Sequence, residues 1–170
     1  MWLDTLLFYG FALLTLTGAV LTITRRNAVH SAVALIASLV GVAGLFLLQR
    51  AEFLFAVQIV LYVGGIMVLF LFVIMLVNLD EAARLRQFGR QWWLALAAVA
   101  AVGAEVVWFL TKGAGALRLP PAAPLPAGAP GNTEALADVL FSEYLLPFEV
   151  ASLLLLVAIV GSVIMAKKRI

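Results

Sequence analysis

Long uninterrupted apolar runs dominate the pattern of hydrophobic and polar positions along the chain. They cover about residues 2–23, 29–48, 53–78, 92–111 and 146–166. Each is close to the ~20 residues that a helix needs to cross a ~30 Å hydrocarbon core. Continuous apolar runs favour helices over barrel strands, which alternate apolar and polar positions. The pattern therefore predicts an all-α integral membrane protein with five transmembrane helices in a single membrane domain, residues 1–170.

Composition agrees with a membrane location. Apolar residues make up 65% of the chain and charged residues 12%, with a mean hydropathy of +1.15. These values exceed what a soluble domain shows. The first run is expected to remain as a helix, because its start, Met1-Trp2-Leu3-Asp4, has an acid where a secretory signal carries positive charge, and its apolar part is too long.

The distribution of lysine and arginine predicts the orientation. One side of the membrane would hold eight basic residues and the other three. The richer side belongs in the cytoplasm, so the N-terminus lies outside, in the periplasm, and the C-terminus inside. The basic pI of about 9.3 reflects this flanking charge, and no nucleic-acid partner is expected. The eight are Arg25, Arg26, Arg84, Arg86, Arg90, Lys167, Lys168 and Arg169, and the three are Arg50, Lys112 and Arg118.

Residues 112–145 form the one long connection, a proline-rich loop on the outer side. Pro120 to Pro130 should be extended and polyproline-like. Asn132 or Thr133 then offers an N-cap for a short helix through Ser142. We interpret the loop as a surface arm that lies along the outer face of a partner.

Few residues could support chemistry within this chain. It has no cysteine, and His30 is its only histidine, which argues against thiolate, iron–sulfur and dedicated metal sites. His30 is better interpreted as an interfacial hydrogen-bonding residue than as a ligand or proton relay. Gly-rich phosphate loops and nucleotide fingerprints are also missing from the sequence. We therefore expect no active site, metal or cofactor in this chain.

Polar groups at membrane depth are functional candidates by default. In the third run, at 100° per residue of an α-helix, Gln58, Tyr62 and Gly65 lie on one stripe while Gly64 points elsewhere. The adjacent glycines weaken the helix by ~1 kcal/mol each relative to alanine and mark a site for a kink or a π-bulge. In the fourth run, Glu105 lacks a basic partner in its own helix and should face a neighbouring subunit or a wet cavity.

Two interpretations of the third run stay open on the residues alone. The glycines admit a neighbouring helix closely, or the weak turn switches between two windings and opens or closes a water path. Its length is unusual, because about 26 residues would reach about 39 Å as a straight helix. The helix must be tilted, bent or protruding.

Three strings carry a resemblance to a known family. NAVHSAVALIASLVGVAGLF, VQIVLYVGGIMVLFLFVIMLVNL and LPFEVASLLLLVAIVGSVI resemble the second, third and fifth spans of subunit J of proton-pumping NADH–quinone oxidoreductases, respiratory complex I. The resemblance covers about half the chain, and its most specific part is Tyr-Val-Gly-Gly-Ile-Met-Val-Leu-Phe.

The resemblance implies a gating role for the third helix. In that family this helix carries a π-bulge, and its rewinding is proposed to gate a hydrated proton connection. Tyr62, Gly64 and Gly65 match the bulge, and Gln58 and Tyr62 would contact the water path. The segment that would rotate contains Met67, Val68, Leu69 and Phe72.

The resemblance also implies partners and a location. The chain would contact neighbouring small subunits, the quinone-site subunit and the antiporter-like subunits of the membrane arm, within the lipid bilayer of a bacterial plasma membrane. Other subunits would hold FMN, iron–sulfur clusters, NADH and quinone.

Two positions qualify the resemblance. Relatives often have glutamate where this chain has Gln58, and an amide cannot titrate as a carboxyl does. Glu149 matches a family glutamate at the start of the fifth helix. It also follows Pro147 in what should be the first helical turn, where the helix dipole favours an acid, so helix start and proton relay both stay open.

Three functions are thus weighed. The first is a non-catalytic subunit that couples quinone reduction to proton translocation, and the second is a purely structural assembly subunit of the same complex. A stand-alone transporter or channel is disfavoured, because five helices without an inverted repeat or a buried Lys–Glu pair offer little substrate machinery.

Overall fold

The computed structural model describes residues 2–77, 89, 91–113 and 130–167, and in these ranges the regular structure is helical throughout. Five helices are long and apolar enough to cross a membrane. The all-α prediction with five spans is confirmed. In chain order the helices are α1 (Trp2–Thr24), α2 (Ala28–Leu48), α3 (Glu52–Leu76), α4 (Trp92–Gly113), α5 (Asn132–Ser142) and α6 (Leu145–Ala166).

The observed bounds differ from the predicted bounds by one or two residues. α2 and α3 begin one residue early, α4 continues to Gly113, and α6 begins at Leu145. The predicted end of the third span at Asn78 lies outside the described residues, as does the proline-rich stretch 114–129. Several of the basic residues that predicted the orientation also lie outside the described residues. The orientation therefore stays a prediction. These basic residues are Arg84, Arg86, Arg90, Arg118, Lys168 and Arg169.

Asn27 explains why α2 begins where it does. Its side-chain Oδ1 accepts hydrogen bonds from the backbone N–H groups of Val29, at 2.9 Å, and His30, at 3.2 Å. The first N–H groups of a helix have no partner inside it, so this cap satisfies two of them.

α1 and α2 pack closely because small residues line their contact. A Cβ atom added to Gly18 would lie 2.8 Å from the carbonyl oxygen of Ala34, and one added to Gly41 would lie 3.0 Å from that of Phe11. Ser38 on α2 donates from Oγ to the carbonyl oxygen of Thr15, at 2.9 Å. Small residues and interhelical hydrogen bonds drive association in lipid, where burial of apolar surface gives no advantage.

α2 packs against both α1 and α3. At one end of the bundle α5 contacts the start of α3 and also packs on α6, where the rings of Phe141 and Phe148 meet edge to face with centroids 5.2 Å apart. Within the described ranges, α4 has no extended interface with another helix. The side chains of α4 and α6 are almost all exposed.

The sequence-based cap of α5 is wrong. Gly131 is the N-cap of this helix, and no side chain caps it. Asn132 is instead the first helical residue of α5, and its side chain accepts a hydrogen bond from the start of α3.

Candidate functional site

The winding of α3 changes twice along its length. Glu52–Val57 is α-helical, Gln58–Met67 is a π-helix, and Val68–Leu76 is α-helical again. π-helical segments are rare and usually span a single turn, often at functional sites. Here the π-helical segment has ten residues and includes both adjacent glycines.

The two glycines have different roles in this winding. A Cβ atom added to Gly64 would lie 3.2 Å from the carbonyl oxygen of Ile59, five residues earlier. One added to Gly65 would lie 3.7 Å from the carbonyl oxygen of Val60, an ordinary van der Waals distance. Because the atom near position 64 belongs to the backbone, it yields only if the helix shifts. A side chain at position 64 is therefore tight in the π winding, whereas position 65 accepts a small side chain.

Gln58 is the only buried residue of α3, with 8% of its surface exposed. It begins the π-helical segment, which packs against α2. A buried amide in an otherwise apolar helix is costly unless it is hydrogen-bonded or hydrated. The structure thus buries the Gln58 side chain in the part of α3 that packs against α2.

The π winding alters the polar stripe expected from the sequence. Seven residues make about two turns of an α-helix, which would bring Gly65 back to the face of Gln58. A π-helix holds more residues per turn, so seven residues fall short of two turns and Gly65 turns away. Tyr62 is 47% exposed, in contrast to Gln58. The prediction that all three share one face assumed α-helical winding, and in the π-helical segment it does not hold for Gly65.

The residues of the segment expected to rotate lie along the junction between the π-helix and the second α-helical part. Met67 is the last π-helical residue and is half-buried. Val68, Leu69 and Phe72 are exposed in this chain and follow in the α-helical part.

The two acidic candidates lie away from the π-helical segment of α3. Glu105 lies on α4 and Glu149 on α6, both exposed, and within the described ranges neither helix has an extended interface with α3. Glu149 is the fifth residue of α6, because the helix begins at Leu145, so it lies beyond the first turn where we expected it. The interaction of an acid with the helix dipole fades past the first turn, which weakens the helix-start explanation.

Sequence reasoning missed a contact at the start of α3. The side-chain Oδ1 of Asn132 accepts a hydrogen bond from the backbone N–H of Phe53, at 3.3 Å. The two residues are 79 positions apart, so no local pattern could reveal the contact. It also missed a second π-helical segment, Phe109–Gly113, at the end of α4.

Metal ligands do not cluster in the part of the chain that the structure describes, where no three His, Cys, Asp or Glu residues could hold an ion together. That the chain binds no metal or cofactor stays a prediction. The arrangement places a buried amide at the start of a helix segment with unusual winding.

Comparisons with known proteins identify the family. Residues 18–165 match the family model of NADH-ubiquinone/plastoquinone oxidoreductase chain 6. NADH-quinone oxidoreductase subunit J of Rhodobacter capsulatus is 38% identical, over 93% of this chain and 79% of the relative. NAD(P)H-quinone oxidoreductase subunit 6 of the organellar chromatophore of Paulinella chromatophora is 36% identical, over 95% and 77%. F(420)H(2) dehydrogenase subunit J of Methanosarcina mazei is 34% identical, over 97% and 92%.

Proposed function

We propose that this chain couples quinone reduction to proton translocation. The chain belongs to the NADH-ubiquinone/plastoquinone oxidoreductase chain 6 family, and it is thereby a subunit of an NADH-quinone oxidoreductase (complex I). It couples the two processes without catalysing electron transfer, through a change in the winding of α3. The resemblance found in the sequence and the family match agree on the complex.

The π-helical segment Gln58–Met67 supports this proposal most strongly. Conversion of the π-helix to an α-helix would rotate everything beyond it about the helix axis, because each turn would hold fewer residues. Met67, Val68, Leu69 and Phe72 would then turn and open or close a water path next to α3. Gly64 leaves the π winding accessible, because it has no Cβ to meet the carbonyl oxygen of Ile59.

Gln58 and Tyr62 would line the water path. Gln58 can donate and accept hydrogen bonds but cannot hold an extra proton, so it would orient water rather than store charge. Protons would move along the hydrated connection toward other subunits, with Glu105 and Glu149 as further polar groups facing those subunits.

Partners follow from the same proposal. The exposed apolar faces of α4 and α6 fit neighbouring membrane-arm subunits and lipid. Among these subunits we include the quinone-site subunit and the antiporter-like subunits. FMN, iron–sulfur clusters, NADH and quinone would be held by other chains, and the complex would lie in a bacterial plasma membrane.

A purely structural role in assembly is the alternative, and the close α1–α2 packing is the observation that favours it. In that case the glycines of α3 would serve contact between helices only. A difference between Gly64 and Gly65 tells the two apart, because only Gly64 is restricted by the π winding itself.

The experiment compares Gly64→Ala with the matched control Gly65→Ala in the whole complex. Each substitution raises α-helical propensity by about 1 kcal/mol, so any difference between them reports the contact with the Ile59 carbonyl. We expect both complexes to assemble, and Gly64→Ala alone to lose most proton uptake per quinone reduced in liposomes. Loss of assembly in both variants supports the structural role. Normal pumping in Gly64→Ala contradicts the gating proposal.

A further inference from the structure

A groove of about 480 Å³ lies at one end of the α1–α2 pair, between the start of α1 and the end of α2. Both helices are long and apolar enough to cross the membrane, so this end lies at the boundary between the hydrocarbon core and water. The gating proposal makes no use of this groove. Its lining combines charged, polar and apolar side chains, among them Asp4, Phe8, Tyr9, Leu48, Gln49 and Arg50.

The backbone at Arg50 is unusual for its residue type. Arg50 has a φ of 59°, in the left-handed region that favours glycine. The N–H of Ala51 donates to the carbonyl oxygen of Phe46, at 3.0 Å, and the N–H of Arg50 to that of Leu47, at 3.1 Å. This pair of bonds is a Schellman motif, in which glycine usually occupies the position that Arg50 holds. Because glycine would be less strained at this position, we infer that the side chain of Arg50 has a function.

The chemistry of the lining fits an amphipathic ligand. Guanidinium groups bind phosphate through paired charge-assisted hydrogen bonds, and the Gln49 amide can add a donor. Asp4 provides a carboxylate from the α1 side of the groove, suited to an ammonium group. Phe8 and Leu48 supply apolar surface on helices that continue into the hydrocarbon region.

We propose that this groove binds the headgroup of a phospholipid that carries a primary amine, of the phosphatidylethanolamine class. Arg50 holds the phosphate, Asp4 receives the amine, and the start of an acyl chain lies along Phe8 and Leu48. A free phosphate would leave the apolar side chains unused, whereas a phospholipid uses both the charged and the apolar side chains of the lining. The groove thus anchors a lipid where this chain meets the membrane surface.

The test uses the whole complex in lipid nanodiscs with a photoactivatable phosphatidylethanolamine, and mass spectrometry to map labelled peptides. The key variant is Arg50→Gly, because it removes the guanidinium and relieves the left-handed backbone, so the turn should fold at least as well. We expect labelling of the peptides around Asp4 and Arg50 to fall about tenfold, as loss of a charge-assisted hydrogen bond implies. Lys112→Gln, which removes a basic residue outside the groove, should leave this labelling unchanged.

Competition experiments distinguish the ligand classes. Unlabelled phosphatidylethanolamine should displace the probe better than phosphatidylglycerol, and Asp4→Asn should abolish that preference. Equal labelling in Arg50→Gly and the unaltered complex would overturn the proposal. So would displacement by inorganic phosphate alone, or no labelling of these peptides at all, which would mean that a neighbouring subunit covers the groove.

Discussion

The side-chain Oδ1 of Asn132 lies 3.3 Å from the backbone nitrogen of Phe53 and accepts its hydrogen bond. Asn132 begins α5, and Phe53 is the second residue of α3. The N-cap residue of α3 itself, Ala51, makes no side-chain cap. α5 thus supplies the cap that the start of α3 lacks in its own sequence. Because this end is held, a change of winding in the π-helical segment would mainly turn the part of α3 beyond it.

Asn132→Ala should loosen the start of α3. Loss of an N-terminal cap costs about 1 kcal/mol, so amides of Phe53 to Phe55 should exchange hydrogen about fivefold faster in the assembled complex. Hydrogen–deuterium exchange with mass spectrometry measures this. Asn132→Asp keeps an acceptor and should behave almost as the unaltered chain, and Thr133→Ala is the control on the next residue. Equal exchange in Asn132→Ala would show that the hydrogen bond does not hold α3.

Gly41→Val should disrupt the packing of α1 on α2. A Cβ atom at position 41 would meet the backbone of Phe11 and Thr15, so the helices must separate at a cost of about 1–3 kcal/mol. The matched control is Gly10→Val on α1, where a Cβ atom meets nothing within 4 Å. The thermal stability and yield of the purified complex should fall for the first variant only. Similar losses for both would mean that valine harms α1 and α2 regardless of contact.

Gln58→Leu should separate stability from function. Leucine has a similar size and removes a buried amide, so the complex should be about as stable as before. If Gln58 orients water, loss of a hydrogen-bonding group worth about 1.4 kcal/mol should slow proton transfer about tenfold. Proton uptake by proteoliposomes and the melting temperature measure the two effects. Val60→Leu, at an exposed position in the same π-helical segment, is the control. Unchanged pumping in Gln58→Leu would exclude Gln58 from the water path.

Single cysteines can test the orientation, because the chain has none of its own. Glu143→Cys, after α5, should react with a membrane-impermeant maleimide from outside the cell. Lys167→Cys, after α6, should react only when the cytoplasmic side is opened. The expectation rests on the excess of Lys and Arg at the predicted cytoplasmic ends. The opposite labelling pattern would show that the predicted orientation is wrong and that the N-terminus lies in the cytoplasm.

Some of the site was accessible from the sequence, and some was not. The adjacent Gly64 and Gly65 pointed to a weak turn, because glycine propensity is a local property. The length of the π-helical segment, Gln58–Met67, was not accessible, because no local pattern in the sequence marks where the winding changes back. The place of Gly65 on the stripe of Gln58 and Tyr62 was mispredicted because the pattern assumed the angular step of an α-helix.

The number and position of the spans were determined by the sequence alone, because the apolar length needed to cross a bilayer is a property of each segment by itself. Only the tertiary structure decided that Gln58 is the one buried residue of α3 and that Asn132 caps α3 rather than its own helix. Both depend on contacts between residues far apart in the chain. Such contacts form only when helices pack, and hydropathy along the sequence carries no record of which helix faces which.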